Sequence, residues 1–193
     1  DFSELFYRLK KVLSDKNDQA EFFCVGDDWQ AINSFAGSDL KYFENFRNYF
    51  TDSAGTLVIA NNYRSHRDIV SLGNIIMEGK GEEAKDTPQL EKGGVYKAYL
   101  SSFVPTLIEK ERYKKNEFLA LAVLRLVYRL VKGNETVVIL SRTNNLPYNG
   151  GKINFFKDKI RHYLPEELRG HIEVSTTHSY KGNEADNVII ADA

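Results

Sequence analysis

Three polar segments of the chain contain residue types that can contact phosphate groups and stack on nucleotide bases. The first is Val25-Gly-Asp-Asp-Trp-Gln-Ala-Ile-Asn-Ser-Phe-Ala-Gly37, directly after an apolar stretch. Polar side chains at the carboxyl end of a strand lie where α/β sheets bind ligands. Gln30 offers an amide that can sense a phosphate oxygen or an attacking water, and Trp29 and Phe35 offer flat faces for a base. Taken alone, a capped turn with core aromatic residues explains the same sequence.

The second segment is Ala60-Asn-Asn-Tyr-Arg-Ser65, again just past an apolar run. Arg64 has the chemistry to stabilise the charge that develops on a transferring phosphoryl group. Tyr63, beside it, can stack on a purine. An arginine held in a salt bridge at the start of a helix is the alternative for this segment alone.

The third segment extends from Val174 to Ile190 and reads VSTTHSYKGNEADNVII. Thr177 and His178 can bind a DNA phosphate, and Glu184 can accept a hydrogen bond from a ribose hydroxyl. A solvated loop between two strands is the alternative. Each segment is therefore ambiguous until the three are considered together.

Other catalytic motifs are missing from the sequence. A phosphate-binding loop needs G-x-x-x-x-G-K-[ST], and the nearest candidate, Gly73 to Gly81, is one residue too long and lacks the hydroxyl. A helix that ends in glycine explains that stretch better. Since HExxH, paired CxxC and GxSxG are also missing, the sequence gives no support to zinc or acyl-transfer chemistry, and we expect no metal ligands in this chain.

Composition sets broad limits on the class of protein. The 193 residues are 42% hydrophobic, enough for one core or one core plus a smaller neighbour, and the net charge is −1. This charge argues against histone-like wrapping of DNA but not against a positive groove. No membrane span or signal peptide is predicted. Cys24, within an apolar stretch, is predicted to be a buried thiol in a reducing compartment.

Helical and strand-like patterns alternate along the chain, which predicts an α/β fold with a mainly parallel sheet flanked by helices. The β-branched run Thr136 to Leu140 is typical of a strand that is covered on both faces. Lys80 to Gly94 is predicted to be an exposed loop. We expect strands at 21–26, 56–60, 95–100, 136–140, 172–175 and 187–191, and helices at 3–13, 39–50, 66–77, 115–132 and 152–163.

In their order, the three segments resemble motifs III, IV and V of UvrD/Rep-type (superfamily-one) DNA helicases. The typical forms of these motifs are VGDxxQSIYxFRGA, LxxNYRS and TxHxxKGLEFxxV. Between motifs IV and V, Val137 to Asn145 reads VVILSRTNN and resembles motif IVa. Asp1-Phe2-Ser3 resembles the residues directly after the glutamine of motif II. The resemblance covers nearly the whole chain, with little motif signal in residues 80–130.

The resemblance implies two RecA-like (P-loop NTPase-type) domains with ATP in the cleft between them. Residues 1–54 are then the tail of the first motor domain, and residues 55–193 are a nearly complete second domain without a large accessory insertion. The phosphate-binding lysine, the Mg²⁺ ligands and motif VI would lie outside this chain. We therefore expect a carboxy-terminal fragment of an ATP-dependent DNA helicase that is inactive on its own.

The resemblance also implies roles for individual residues. Gln30 would couple the γ-phosphate to DNA binding, and Tyr63, Arg64 and Glu184 would contact adenine, γ-phosphate and ribose of the ATP. DNA contacts are expected from Trp29, Phe35, Thr177, His178 and Lys181. Asn33, Ala36 and Asn183 depart from the typical motifs, so motif III has less stacking surface and less positive charge.

The expected partners are implied by the same resemblance. They are ATP with Mg²⁺, single-stranded or partly duplex DNA, and the remaining part of the first RecA-like domain. A cytoplasmic, nucleoid-associated protein of DNA repair or recombination is expected, with no membrane partner. Two alternatives stay open, namely a helicase–nuclease fusion and a non-catalytic RecA-like nucleic-acid-binding module.

Overall fold

A computed structural model describes residues 3–27, 29, 37, 39, 41–50, 54–87, 93–113, 118–142 and 153–191. The chain divides into two compact units, Asp1–Tyr96 and Lys97–Ala193. Helices and parallel strands make up the described elements, so the α/β class predicted from the sequence is confirmed. Among the described residues, no helix is long and apolar enough to cross a membrane.

The amino-terminal unit contains short elements apart from its first and fourth helices. Its strands pair in parallel, Asn61 with Lys85 and Asn62 with Asp86. The predicted helix at 39–50 is interrupted at Asn45. The described elements are α1 (Glu4–Lys16), α2 (Lys41–Glu44), α3 (Phe46–Tyr49), β1 (Asn61–Asn62), α4 (Arg67–Ile76) and β2 (Lys85–Asp86).

Aromatic rings form the described core of this unit. Tyr42 is buried and stacks on Tyr7 of α1, with 5.0 Å between ring centroids. Tyr49 packs edge-on against Tyr42 at 4.9 Å. The apolar side chains at helical spacing on one face of α1 are about half exposed or more. They are Leu5, Phe6, Leu9, Val12 and Leu13.

Three predicted strands, at 21–26, 56–60 and 95–100, are wrong for the described structure. None of their residues lies in a ladder, and Phe23 and Leu57 are 90% and 93% exposed. A parallel strand needs hydrogen-bonded neighbours, and the described part of this unit offers only the two-residue pairing of β1 with β2. Cys24 is exposed, so the prediction of a buried thiol is also wrong.

The carboxy-terminal unit is built on a parallel sheet in the order β4-β3-β5. Val137 of the central strand aligns with Ile172 on one side and with Asn187 on the other. All five residues of β3 are buried, as the β-branched run predicts. The elements of this unit are a 3₁₀ helix (Leu100–Ser102), α5 (Leu107–Arg112), α6 (Phe118–Lys132), β3 (Val137–Ser141), α7 (Ile153–Tyr163), α8 (Glu166–Arg169), β4 (Ile172–Thr176) and β5 (Asn187–Ile190).

Each face of this sheet has its own cover. Helices α6 and α7 pack on one face and form the main core, which includes Val127, Ile139 and Phe156. On the other face, Tyr180 packs with Val138 and Leu140. Tyr180 belongs to the segment 177–186, which connects β4 to β5. The third polar segment of the sequence therefore contributes Tyr180 to the hydrophobic core of this unit.

Candidate nucleotide and nucleic-acid site

The loop that carries Tyr63 and Arg64 is held by the side chain of Asn62. The carboxamide oxygen of Asn62 accepts hydrogen bonds from the backbone N–H groups of Arg64 (3.0 Å) and Ser65 (2.8 Å). The hydroxyl of Thr87 donates to the carbonyl of Asn62 at 2.9 Å. Tyr63 is 65% exposed and Arg64 is also exposed. The loop therefore presents an aromatic ring and a guanidinium from a backbone that is fixed by hydrogen bonds.

Helix α4 directly follows this loop, and side-chain hydrogen bonds hold it near both of its ends. His66 caps its amino terminus, where Nδ1 accepts from the backbone N–H of Asp68 at 3.2 Å. Near the other end, the side chain of Asn74 donates to the carbonyl of Ala84 (2.8 Å) and accepts from the N–H of Ala84 (3.1 Å). The scaffold that presents Arg64 therefore includes α4 and the segment before β2.

Trp29 of the first polar segment contacts the same helix. Its indole N–H donates to the carbonyl of Lys80 at 2.7 Å. Its ring faces Gly73 of α4, where an added Cβ would lie 3.7 Å from the ring. Gln30 and Phe35 lie outside the described residues, so their predicted roles stay predictions. The structure thus brings Trp29 against the helix that directly follows the second segment and against the turn after that helix.

The third polar segment begins at the carboxyl edge of the sheet in the other unit. The N–H of Thr177 donates to the carbonyl of Ser141, the last residue of β3, at 3.2 Å. The hydroxyl of Thr176 accepts from the N–H of Ser179 at 3.0 Å and fixes the turn. Thr177 and His178 are exposed there, and Lys181 is half-buried. The strands of the motif IVa and motif V matches, β3 and β4, are thus neighbours that end at one edge.

Tyr180 and Glu184 are joined within this segment. Tyr180 is 8% exposed, and its hydroxyl donates to the backbone carbonyl of Glu184 at 2.7 Å. Burial, followed by the nearby carboxylates of Glu173 and Glu184, raises the pKa of Tyr180 above its ordinary value. The hydroxyl therefore keeps its proton at neutral pH. Tyr180 fixes the backbone of the residue predicted to hold the ribose.

The segment closes at the opposite end of β3. The carboxylate of Asp186 accepts from the N–H of Thr136 (2.8 Å) and from its hydroxyl (2.7 Å). These two bonds, the backbone one first, hold the pKa of Asp186 below its usual range. Sequence reasoning missed both Asp186 and Tyr180 as supports of the site. The signal for Tyr180 was a large aromatic residue within an otherwise polar turn.

The described residues do not assemble a metal site. No group of three or more His, Cys, Asp or Glu side chains that could hold a metal ion occurs among them. The charged residues predicted to contact a ligand are Arg64 in the amino-terminal unit, and Lys181 and Glu184 in the carboxy-terminal unit. Such residues can contact a nucleotide or a phosphate backbone, but they do not supply the set of oxygen ligands that Mg²⁺ prefers.

The chain is similar in sequence to known DNA helicases. It is 26% identical to DNA helicase IV of Escherichia coli (strain K12) over 184 residues, which are 94% of this chain and 23% of that protein. The resemblance to UvrD/Rep-type helicases is confirmed. The ATP-dependent DNA helicase Rep of Buchnera aphidicola subsp. Baizongia pistaciae is 34% identical over 71 residues, 37% of this chain and 10% of that protein. No family model and no solved structure matches the chain.

The chain therefore spans less than a quarter of the length of these helicases. Within that span, the residues predicted from the helicase motifs fall into two groups. Trp29, Tyr63 and Arg64 lie in the amino-terminal unit, and the groups of motif V, with Thr177 and Glu184, lie in the carboxy-terminal unit.

Proposed function

We propose that the chain is part of an ATP-dependent DNA helicase or translocase that acts on single-stranded DNA. The observation that carries this proposal is the arrangement of β3 and β4. These adjacent parallel strands match motifs IVa and V, and they end at one edge where Thr177 and His178 are exposed. Ligands of α/β sheets bind at this edge. The similarity to DNA helicase IV over 94% of the chain supports the same function.

We propose RecA-like motor domains as the framework, with residues 1–54 in the first and 55–193 in the second. The compact units divide at residue 96, so this boundary is a proposal about function and not about compactness. The exposed apolar side chains of α1 and of residues 57–59 support the idea, since a larger sheet and its helices would cover them. The remaining part of the first domain is the proposed partner of the exposed side chains of α1.

ATP binding is proposed for the exposed side chains of Tyr63, Arg64 and Glu184. The Asn62 turn fixes the backbone at Arg64, as an arginine that stabilises a transferring phosphoryl group requires. Gln30 is proposed to sense the γ-phosphate. Mg²⁺ would bind together with the ATP, and its ligands and the phosphate-binding lysine are proposed to belong to the remaining part of the first domain.

DNA binding is proposed for Thr177, His178 and Lys181 at the carboxyl edge of the sheet, and for Phe35 as a base-stacking residue. For Trp29, which the helicase resemblance assigns to the DNA, the contacts with α4 support a structural connection to that helix instead. Repair or recombination as the pathway, and a nucleoid-associated location in the cytoplasm, complete the proposal.

Replacement of Arg64 tests this function in the complete protein. We expect Arg64→Ala to lower DNA-stimulated ATP turnover by about 10³-fold, the low end for arginine fingers, and to leave single-stranded DNA affinity nearly unchanged. Arg67→Ala is the matched control, because Arg67 is exposed and its nearest described carboxylate, Asp68, is 3.8 Å away. Turnover that survives Arg64→Ala would show that Arg64 is a structural residue.

A further inference from the structure

Trp29 makes a contact that reaches far along the chain. Its indole N–H donates to the carbonyl of Lys80, 51 positions away, and the donor–acceptor distance of 2.7 Å is short for a bond of this type. It is the one tryptophan in the sequence. The helicase resemblance places Trp29 directly before Gln30, the residue proposed to sense the γ-phosphate.

The other side of the contact is a glycine in the middle of a helix. Glycine in the interior of a helix is destabilising relative to alanine, so helix stability does not explain the presence of Gly73 in α4. The space above Gly73 is occupied by the indole ring, and an added Cβ would lie 3.7 Å from it, at ordinary van der Waals distance. Alanine therefore fits beside the ring, whereas a branched side chain would have to displace it.

Helix α4 is in turn connected to Arg64. His66, which caps α4, lies two positions after Arg64, and the Asn62 turn holds the intervening backbone. The hydrogen bonds between Asn74 and Ala84 join the other end of the helix to the segment directly before β2. A displacement of the Trp29 ring therefore acts on a helix whose position sets that of Arg64.

We propose that Trp29 is a positioning residue that fastens the segment carrying Gln30 to the helix directly after Arg64. Trp29 thereby helps to set the position of Arg64, a group proposed to act on the γ-phosphate. This proposal rests on the proposed helicase function, and it takes Trp29 out of the DNA-stacking surface. Loss of the contact should lower ATP turnover, because catalytic groups that shift by about 1 Å can lose on the order of 10²-fold in rate.

The contact itself is testable in the chain as it stands, because intrinsic tryptophan fluorescence reports on Trp29 alone. Wild-type chain and Gly73→Ala should show the same emission maximum and the same protection from acrylamide quenching. Gly73→Leu should shift the emission to the red and increase quenching. Gly55→Leu is the control, since an added Cβ at Gly55 meets nothing within 4 Å. Identical spectra for wild type and Gly73→Leu would overturn the proposal.

The function of the contact is testable in the complete protein by measuring ATP turnover, KM and single-stranded DNA affinity. Trp29→Ala and Gly73→Leu should each lower turnover about tenfold or more, with DNA affinity within about twofold of wild type. Trp29→Phe should fall between, because it keeps a ring against Gly73 but loses the indole N–H. Circular dichroism of each variant establishes that it is folded.

A base-stacking role gives a different pattern. Loss of a stacking ring would weaken single-stranded DNA affinity by about fivefold or more, which is ~1 kcal/mol or more per base, and Gly73→Leu would leave turnover intact. That result would overturn the positioning role while leaving the helicase function standing. A wild-type protein without DNA-stimulated ATPase would refute the helicase function and the coupling together, and the fluorescence would still decide whether Trp29 contacts α4.

Discussion

Replacing Tyr180 with phenylalanine removes one hydrogen bond and leaves the buried ring in place. The lost bond joins the Tyr180 hydroxyl to the carbonyl of Glu184. An intramolecular hydrogen bond contributes a net ~0.5–1.5 kcal/mol. Because Glu184 is exposed, water can replace the lost donor at its carbonyl. We therefore expect Tyr180→Phe to lower the free energy of unfolding by only about 0.5–1 kcal/mol.

Tyr180→Ala provides the contrast, since it also removes the ring that packs with Val138 and Leu140. Truncation of a large buried aromatic side chain costs ~3–5 kcal/mol. Urea unfolding of the chain, monitored by circular dichroism, measures both variants on one scale. A loss of several kcal/mol for Tyr180→Phe would refute the view that the ring, and not its hydroxyl, supplies most of the stability at this position.

The hydroxyl should matter more for the position of Glu184 than for folding. In the complete protein, Tyr180→Phe should raise KM for ATP several-fold at nearly constant turnover, because the loosened backbone at Glu184 weakens a contact with the ribose that is present before and during the reaction. A variant with wild-type KM would show that Tyr180 does not position Glu184.

Three further measurements test the missing phosphate-binding loop and the charges at Glu109 and Lys181. The chain alone should show no DNA-stimulated ATPase above background, because it lacks that loop; turnover near ~1–100 s⁻¹ would refute this. Hydrogen bonds from Thr106 and then from Arg125 hold the pKa of Glu109 below its usual range. The stabilisation that these bonds give is therefore fully present above the ordinary carboxyl pKa, and it is lost as the pH falls through the lowered pKa of Glu109. In Glu109→Gln the free energy of unfolding should therefore decrease less at acid pH, by less than about 1 kcal/mol. Glu111→Gln is the control. In the complete protein, Lys181→Ala should reduce the salt dependence of single-stranded DNA binding by roughly one phosphate contact, and an unchanged slope would remove Lys181 from the DNA surface.

The carboxy-terminal unit could be predicted from the sequence because its pattern and its partners lie in the same chain. The β-branched run from Thr136 forms the buried central strand β3. Helices α6 and α7, both expected from the sequence, supply the cover that such a strand needs. Local preference and long-range packing agree here, so the strands begin and end within one residue of the expected positions.

In the amino-terminal unit, apolar runs in the sequence were not sufficient to predict strands. The runs around Phe23 and Leu57 have the composition of buried strands, yet both side chains are almost fully exposed. Composition predicts that a segment is suited to a sheet, whereas a strand forms only where neighbouring strands supply its hydrogen bonds. In the described part of this unit neither run lies in a ladder, and the N–H of Lys85 donates to the carbonyl of Ala60 at the end of the second run.

The candidate site was predictable in its reactive residues but not in their supports. Arg64 and Glu184 stand in motif-like strings, which a sequence shows directly. The Asn74–Ala84 and Asp186–Thr136 pairs join a side chain to a distant backbone group and obey no periodic pattern. Such bonds depend on where the chain returns, which is a property of the folded unit and not of any local stretch.

The segment 177–186 shows why these supports bear on function. It begins at the carboxyl edge of β3, where Thr177 is bonded to Ser141, and it ends at the opposite edge, where Asp186 is bonded to Thr136. Between these points Tyr180 is buried in the core and holds Glu184. A segment fixed at both edges and in its middle cannot shift at Thr177 without straining the Tyr180 contact. The proposed DNA contact and the proposed ribose contact are therefore two ends of one packed element.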